Sequence, residues 1–157
     1  MTSTEYLITV RPARLEEAEF LTQESFRSKA SWGYPDSWLK IWTDELTVTK
    51  EMISNWITFV VEVDGHVVAC WARSPIESEK TSPGLLFVAP EHQGKGYGRI
   101  LAEAVKKEAK RKGLKFFTLE ADANAAPFYE KVGGKQIGTQ PSLLIPGRIL
   151  PIIRFDL

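Results

Sequence analysis

The stretch Phe87-Val88-Ala89-Pro90-Glu91-His92-Gln93-Gly94-Lys95-Gly96-Tyr97-Gly98-Arg99 decides the reading of this chain. A short apolar run stops at a proline. Three glycines then alternate with other residues, and an amphipathic stretch follows at once. Its apolar positions Ile100, Leu101, Ala104, Val105 and Ala109 form one stripe, so residues 97–112 read as a helix ending at Gly113. A strand, a glycine turn and a helix start together suit an anion. The first N–H groups of a helix lack internal partners, and the helix dipole places positive charge there. Glycines let those N–H groups approach a ligand without a Cβ in the way. The stretch therefore predicts a phosphate site, with a plain glycine turn as the alternative.

Spacing narrows the choice. A nucleotide P-loop needs Gly-Lys followed by Ser or Thr, and Gly94-Lys95 is followed by Gly96. A dinucleotide fingerprint needs G-x-G-x-x-G, and the pattern here is Gly94-x-Gly96-x-Gly98.

Working outward, residues 6–10 read as a first strand that Pro12 ends, and residues 15–26 as an amphipathic helix. Ser31-Trp32-Gly33-Tyr34-Pro35 reads as a turn, residues 38–46 as a second helix, and Thr49 as the cap of a short third turn. Residues 58–63 and 66–71 flank Asp64-Gly65 and predict a hairpin. Strands follow at 85–88 and 115–121. Asn124 is placed to cap a short helix to about Val132, with Pro127 in its first turn, and two last strands fall at 135–138 and 149–155. The order β, α, α, β, β, β, α, β, α, β, β predicts one mixed α/β domain over residues 1–157. It has about seven strands in a twisted, mostly antiparallel central sheet, flanked by about four helices.

Composition sets bounds. At 157 residues the chain can bury a sizeable core. Twenty basic and twenty acidic residues cancel, which gives no support for a nucleic-acid or membrane-surface partner. The N-terminal MTSTEYLITVRP lacks the basic start and apolar run of a signal peptide. With the single Cys70, in apolar surroundings that suggest a buried, inert thiol, these features predict a soluble cytoplasmic protein. One Cys and two His offer no zinc spacing, so no metal is expected.

Gln93-Gly94-Lys95-Gly96-Tyr97-Gly98 resembles the acetyl-CoA signature Q/R-x-x-G-x-G/A of the GNAT N-acetyltransferase superfamily. Asn124-Ala125-Ala126-Pro127-Phe128-Tyr129-Glu130-Lys131-Val132-Gly133 is similar to that family's N-A-x-x-F-Y-x-K-x-G motif, at the usual distance. The element order matches the family fold nearly throughout. Ser31-Trp32-Gly33-Tyr34 is also similar to a segment of some members.

The resemblance implies roles. Backbone N–H groups of Gln93, Gly94, Lys95, Gly96, Tyr97, Gly98 and Arg99 would hold the CoA pyrophosphate. Phe87 and Val88 would pair with the pantetheine arm, the Val88 N–H facing the thioester oxygen as an oxyanion donor does. Asn124 would contact the pantetheine. Tyr129 would give a proton to the departing thiolate. The reaction would be direct attack of an amine on acetyl-CoA through a tetrahedral intermediate. Gly134 departs from the pattern, since relatives carry a large residue there, and its cost would be lost packing.

An amine must be neutral to attack, and a lysine-like amine, pKa about 10.4, is protonated at pH 7. The strand before the signature carries no acid. Glu120 is the leading base, with Glu79, Asp122 or a water chain as others. The acceptor would lie against the first helices and last strands. Trp32 and Tyr34 are the better pocket candidates there. Trp38 and Trp42, one helical turn apart, read as core. Arg148 could meet an acidic group or simply be exposed. Three functions fit: transfer to a primary amine of a small molecule, which the bulky aromatics favour, transfer to a protein N-terminus or lysine, and an acyl-CoA sensor without catalysis. The terminal strands could pair across a homodimer.

Overall fold

Alternation of apolar residues, β-branching and an Asp-Gly turn dictate the first sheet. The computed structural model describes residues 7–76, 81 and 84–157. Strand β1 (Ile8–Pro12) pairs with β2 (Ile57–Val63), β2 with β3 (His66–Arg73), and β3 with β4 (Gly84–Val88), all antiparallel. Asp64 and Gly65 both take positive φ in the β2–β3 turn, which matches the twist of the strands they join. The second sheet has the order β5 (Phe116–Glu120), β7 (Ile149–Asp156), β6 (Lys135–Pro141), again antiparallel.

Six α-helices lie among the described residues: α1 (Ala18–Ala30), α2 (Asp36–Ile41), α3 (Thr43–Leu46), α4 (Lys50–Asn55), α5 (Tyr97–Arg111) and α6 (Ala126–Lys131). The expected helix over 38–46 is two short ones, and the Thr43 hydroxyl at the break donates to the Lys40 carbonyl at 2.7 Å. Thr49 caps α4 as expected, its hydroxyl accepting from the Met52 N–H at 3.1 Å. Helix α5 buries Leu101, Ala102, Val105 and Ala109 against β2 and β3.

The two sheets part between β4 and β5. An aromatic cluster spans the join. The Trp71 ring of β3 lies 6.3 Å from Phe117 of β5, 6.0 Å from Phe155 of β7 and 5.7 Å from Tyr129 of α6. All four are buried, so this cluster holds the sheets in one core while their facing edges separate. A smaller cluster of Trp42, Leu46 and Ile145 closes the far end, with Tyr34 and Trp38 packed on it.

Gly134 corrects one expectation. It leaves no gap, because a Cβ there would sit 2.5 Å from Cγ2 of Ile153 and 2.9 Å from Cζ of Phe155. The space a larger residue would need is taken by β7 side chains. Cys70 is fully buried, and burial pushes its thiol up, out of reach of the thiolate form.

Candidate active site

Antiparallel pairing turns alternate backbone groups to opposite edges. The Ala89 N–H bonds to the Val68 carbonyl at 2.8 Å, so the Phe87 N–H also faces β3. The polar groups of Leu86 and Val88 therefore face away, towards the gap. The Val88 carbonyl on that edge accepts from Ser28 Oγ at 2.7 Å and Gln93 Nε2 at 3.1 Å. These two bonds fix the outer edge of β4 against α1 and the glycine turn.

The gap widens into a crevice of about 990 Å³. Val88, Gly96, Glu120, Asn124, Tyr129 and Arg148 all line it, so it gathers residues from both sequence motifs and both sheets. Gly96 is the residue before α5, with φ of 86° and open space around its α-carbon. A side chain there meets backbone strain rather than a clash. Gly98 has a different reason to be small. A Cβ on it would lie 2.7 Å from Cε1 of Phe128, so its bareness lets α6 pack against α5.

Tyr129 is buried beside Trp71, and its burial raises the phenol well above the usual tyrosine value. The charge of Arg73 opposes that rise and the charge of Asp122 adds to it. Arg73 was not singled out by sequence. It ends β3, is fully buried, stacks 4.1 Å from the Phe117 ring and donates through Nη2 to the Thr118 carbonyl at 3.1 Å. Among the described residues its Nε and Nη1 have no partner, and burial lowers its guanidinium to about 10. No sequence signal marks it, since an arginine after an apolar strand usually ends in solvent.

Glu120 stands exposed at the end of β5 and accepts from Gln140 Nε2, with the Thr81 hydroxyl at 3.3 Å. Glu79 lies outside the described residues. Asp122 is a hub. Its Oδ2 accepts from Lys29 Nζ at 2.8 Å, the Tyr34 hydroxyl at 2.6 Å and Arg148 Nη2 at 3.0 Å. Its Oδ1 accepts the Asn124 N–H at 2.9 Å. Burial acts to raise this carboxyl, but Lys29, Tyr34 and the Asn124 N–H together hold it at about 2. Such a carboxylate is a poor base at neutral pH, which corrects its place among the proton acceptors.

Asn124 does not cap α6. The helix starts two residues later, and the Asp122 carbonyl takes the N–H groups of Ala125 and Ala126 at 2.8 and 3.1 Å. The Asn124 amide instead donates to the Tyr34 hydroxyl at 3.0 Å. The Trp-Gly-Tyr turn is thus joined to the second motif. Trp32 is half exposed on the crevice wall, whereas Trp42 is buried and still shows one face to it. Among the described residues no helix is long and apolar enough to cross a membrane.

Residues 54–133 match the family model of the acetyltransferase (GNAT) domain. The fold is similar to that of a GCN5-related N-acetyltransferase from Rhodopseudomonas palustris, with a TM-score of 0.76, 21% identity and coverage of 95% of each chain. It is similar to PaiA N-acetyltransferase from Thermoplasma acidophilum, solved with coenzyme A, at a TM-score of 0.76, 20% identity and coverage of 96% and 99%. A putative acetyltransferase, YncA, from Salmonella typhimurium, solved with acetyl-CoA, gives 0.70, 20%, 96% and 94%. Half of the chain lies within the matched family, and the fold of the rest agrees with it: this protein belongs to the GNAT acetyltransferases.

Proposed function

We propose that this protein moves an acetyl group from acetyl-CoA to a primary amine of a small molecule. One observation carries the reading. The outward edge of β4 at Val88, the glycine turn and Tyr129 all line one crevice. The solved relatives that hold coenzyme A or acetyl-CoA lend the donor its identity.

The residues fit that donor. The unpaired N–H groups at the start of α5, with Gln93, Gly94, Lys95 and Gly96 before them, suit a pyrophosphate. The outward groups of Leu86 and Val88 suit an extended amide-bearing arm laid along β4 as an added strand would be. Acetyl-CoA supplies the reactive thioester. The Val88 N–H, on the free edge, is the donor for its oxygen. Glu120, at the facing edge, takes the proton of the incoming amine.

Tyr129 serves the sulfur. A thiol near pKa 8.5 is a stronger acid than this raised phenol, so full proton transfer to the thiolate runs uphill. The hydroxyl stays protonated and donates a hydrogen bond as sulfur charge develops. The Arg73 cation behind it lowers the cost of any further transfer. A crevice of this volume walled by Trp32 and Trp42 suits a small acceptor.

The test is acetyl-CoA turnover, read as free thiol, across a panel of small amines, with affinity measured by calorimetry. Release on at least one amine is expected. Gly96→Val should weaken acetyl-CoA binding at least tenfold, about 1.4 kcal/mol. Tight binding with no release on any amine would make the protein a sensor, and unchanged affinity in Gly96→Val would remove the phosphate assignment.

A further inference from the structure

Two cations converge on one carboxylate at the end of the crevice away from the glycine turn. Lys29 Nζ and Arg148 Nη2 share Asp122 Oδ2 with the Tyr34 hydroxyl. Both cations also lie over the same two rings. Lys29 is 4.8 Å from the Trp42 centroid and 5.3 Å from that of Tyr34, and Arg148 is 4.9 and 5.3 Å away.

The arrangement is over-supplied with positive charge. Asp122 has both oxygens engaged, and the Tyr34 hydroxyl, already donating, accepts from Asn124 Nδ2 and Arg148 Nη2 at 3.0 and 3.2 Å. The acceptors on the protein side are full. Arg148 has spent one of its nitrogens, and its side chain, only 16% exposed, lines the crevice. Lys29 lines it too, at 22% exposure. Among the described residues, two cations against one anion leave a net positive charge in a largely dehydrated corner, where an unmatched charge is costly. The exposed Asp44 and Glu45 line the same crevice but are hydrated. Glu120 is already held by Gln140. The missing partner is an anion from outside.

We infer that the acceptor is an amine that also carries a carboxylate, bound by Arg148 and Lys29 while its amine lies towards Glu120. The inference rests on the acetyl-transfer reading above and names its substrate class. Both forks of a guanidinium include Nη2, which Asp122 and Tyr34 occupy, so Arg148 meets the carboxylate by one charge-assisted hydrogen bond from Nη1 or Nε and Lys29 adds a second. Asp122 then has a positioning role, since it holds both cations in place from behind and does not meet the acceptor. The rings of Tyr34 and Trp42 fix the same two groups from the side. Glu120 ends β5 and Asp122 follows two residues later, at most roughly 7 Å away along the backbone, so the two charged ends of one short molecule can be met at once.

The experiment pairs amines of equal length that differ only in a free carboxylate or its methyl ester. Binding to the acetyl-CoA-loaded protein is followed by tryptophan fluorescence, which Trp32 and Trp42 report directly, and turnover by thiol release. The carboxylate form is expected to bind about tenfold to a hundredfold more tightly than its ester, as for a charge-assisted hydrogen bond. Arg148→Gln should erase that preference, raising KM for the carboxylate at least tenfold more than KM for the ester. Equal binding of acid and ester by the parent protein would overturn the inference, whether or not the variant folds. So would a variant that loses acid and ester alike, the mark of a merely structural clamp. Preferred binding of the acid without any thiol release would support the subsite and count against acetyl transfer. An aminoalkyl phosphonate bound better than the carboxylate would overturn the assignment of the carboxylate.

Discussion

Gly98 of α5 and Phe128 of α6 touch so closely that a methyl group on the first would lie 2.7 Å from the ring of the second. The two sequence motifs thus meet physically. The helix that the glycine turn opens and the helix that carries Tyr129 are spaced by one glycine.

Gly98→Ala should therefore destabilise the fold by about 1–3 kcal/mol through overpacking. Phe128→Leu in the same chain should return most of that loss, because a narrower side chain accepts the added methyl. Urea midpoints of the two singles and the double variant give the coupling. Additive losses would show that the pair does not share the space.

Tyr129→Phe keeps the ring among Trp71, Phe128 and Phe155 and removes the hydroxyl alone. Stability and acetyl-CoA affinity should hold. Turnover should fall roughly a hundredfold to a thousandfold, the range for a lost hydrogen-bond donor to developing charge. The deficit should shrink with an acyl donor whose thiol is more acidic, since that thiolate leaves unaided. Single-turnover rates decide the matter, and a wild-type rate would strip Tyr129 of the role.

Glu120→Gln tests the base. Turnover should drop at pH 7 and recover as pH rises towards the amine's own pKa, where the amine sheds its proton to solvent. A constant deficit across the pH range would assign Glu120 to structure, through its contact with Gln140.

Asp122 predicts acid lability with a defined window. Its folded value is about 2, below the ordinary value near 3.9. A depressed carboxyl stabilises the fold above the unfolded value, and that contribution fades as pH falls from about 4 to about 2. Asp122→Asn should be less stable at neutral pH and should lose less further stability across that window than the parent. Parallel loss in both chains, followed by urea midpoints at stepped pH, would contradict the hub.

Much of this was legible in the chain because local chemistry governs it. The Asp64-Gly65 turn and the stripe of α5 follow from backbone preference and periodicity. Long-range convergence was not legible. Lys29, Tyr34, Asp122 and Arg148 are spread over more than a hundred positions, and only the topology makes them one cluster. Asn124 misled for a related reason. An Asn before a helix is a sound cap by propensity, yet the Asp122 carbonyl takes the N–H groups of Ala125 and Ala126, and the Asn124 Nδ2 is turned to the Tyr34 hydroxyl. Gly134 looked like a defect because the sequence does not show that Ile153 and Phe155 come from another strand to fill its place.

The parted edges of β4 and β5 carry one more meaning. A bare strand edge is a template for another chain and a seed for aggregation. This fold sinks the β4 edge between α1, the glycine turn and α6, with Ser28 and Gln93 already on its Val88 carbonyl. A slender, flexible molecule with one row of amides can reach the remaining groups. A neighbouring polypeptide, with side chains on both faces of its strand, is kept out. The same burial that shapes the crevice also guards this strand edge against self-association.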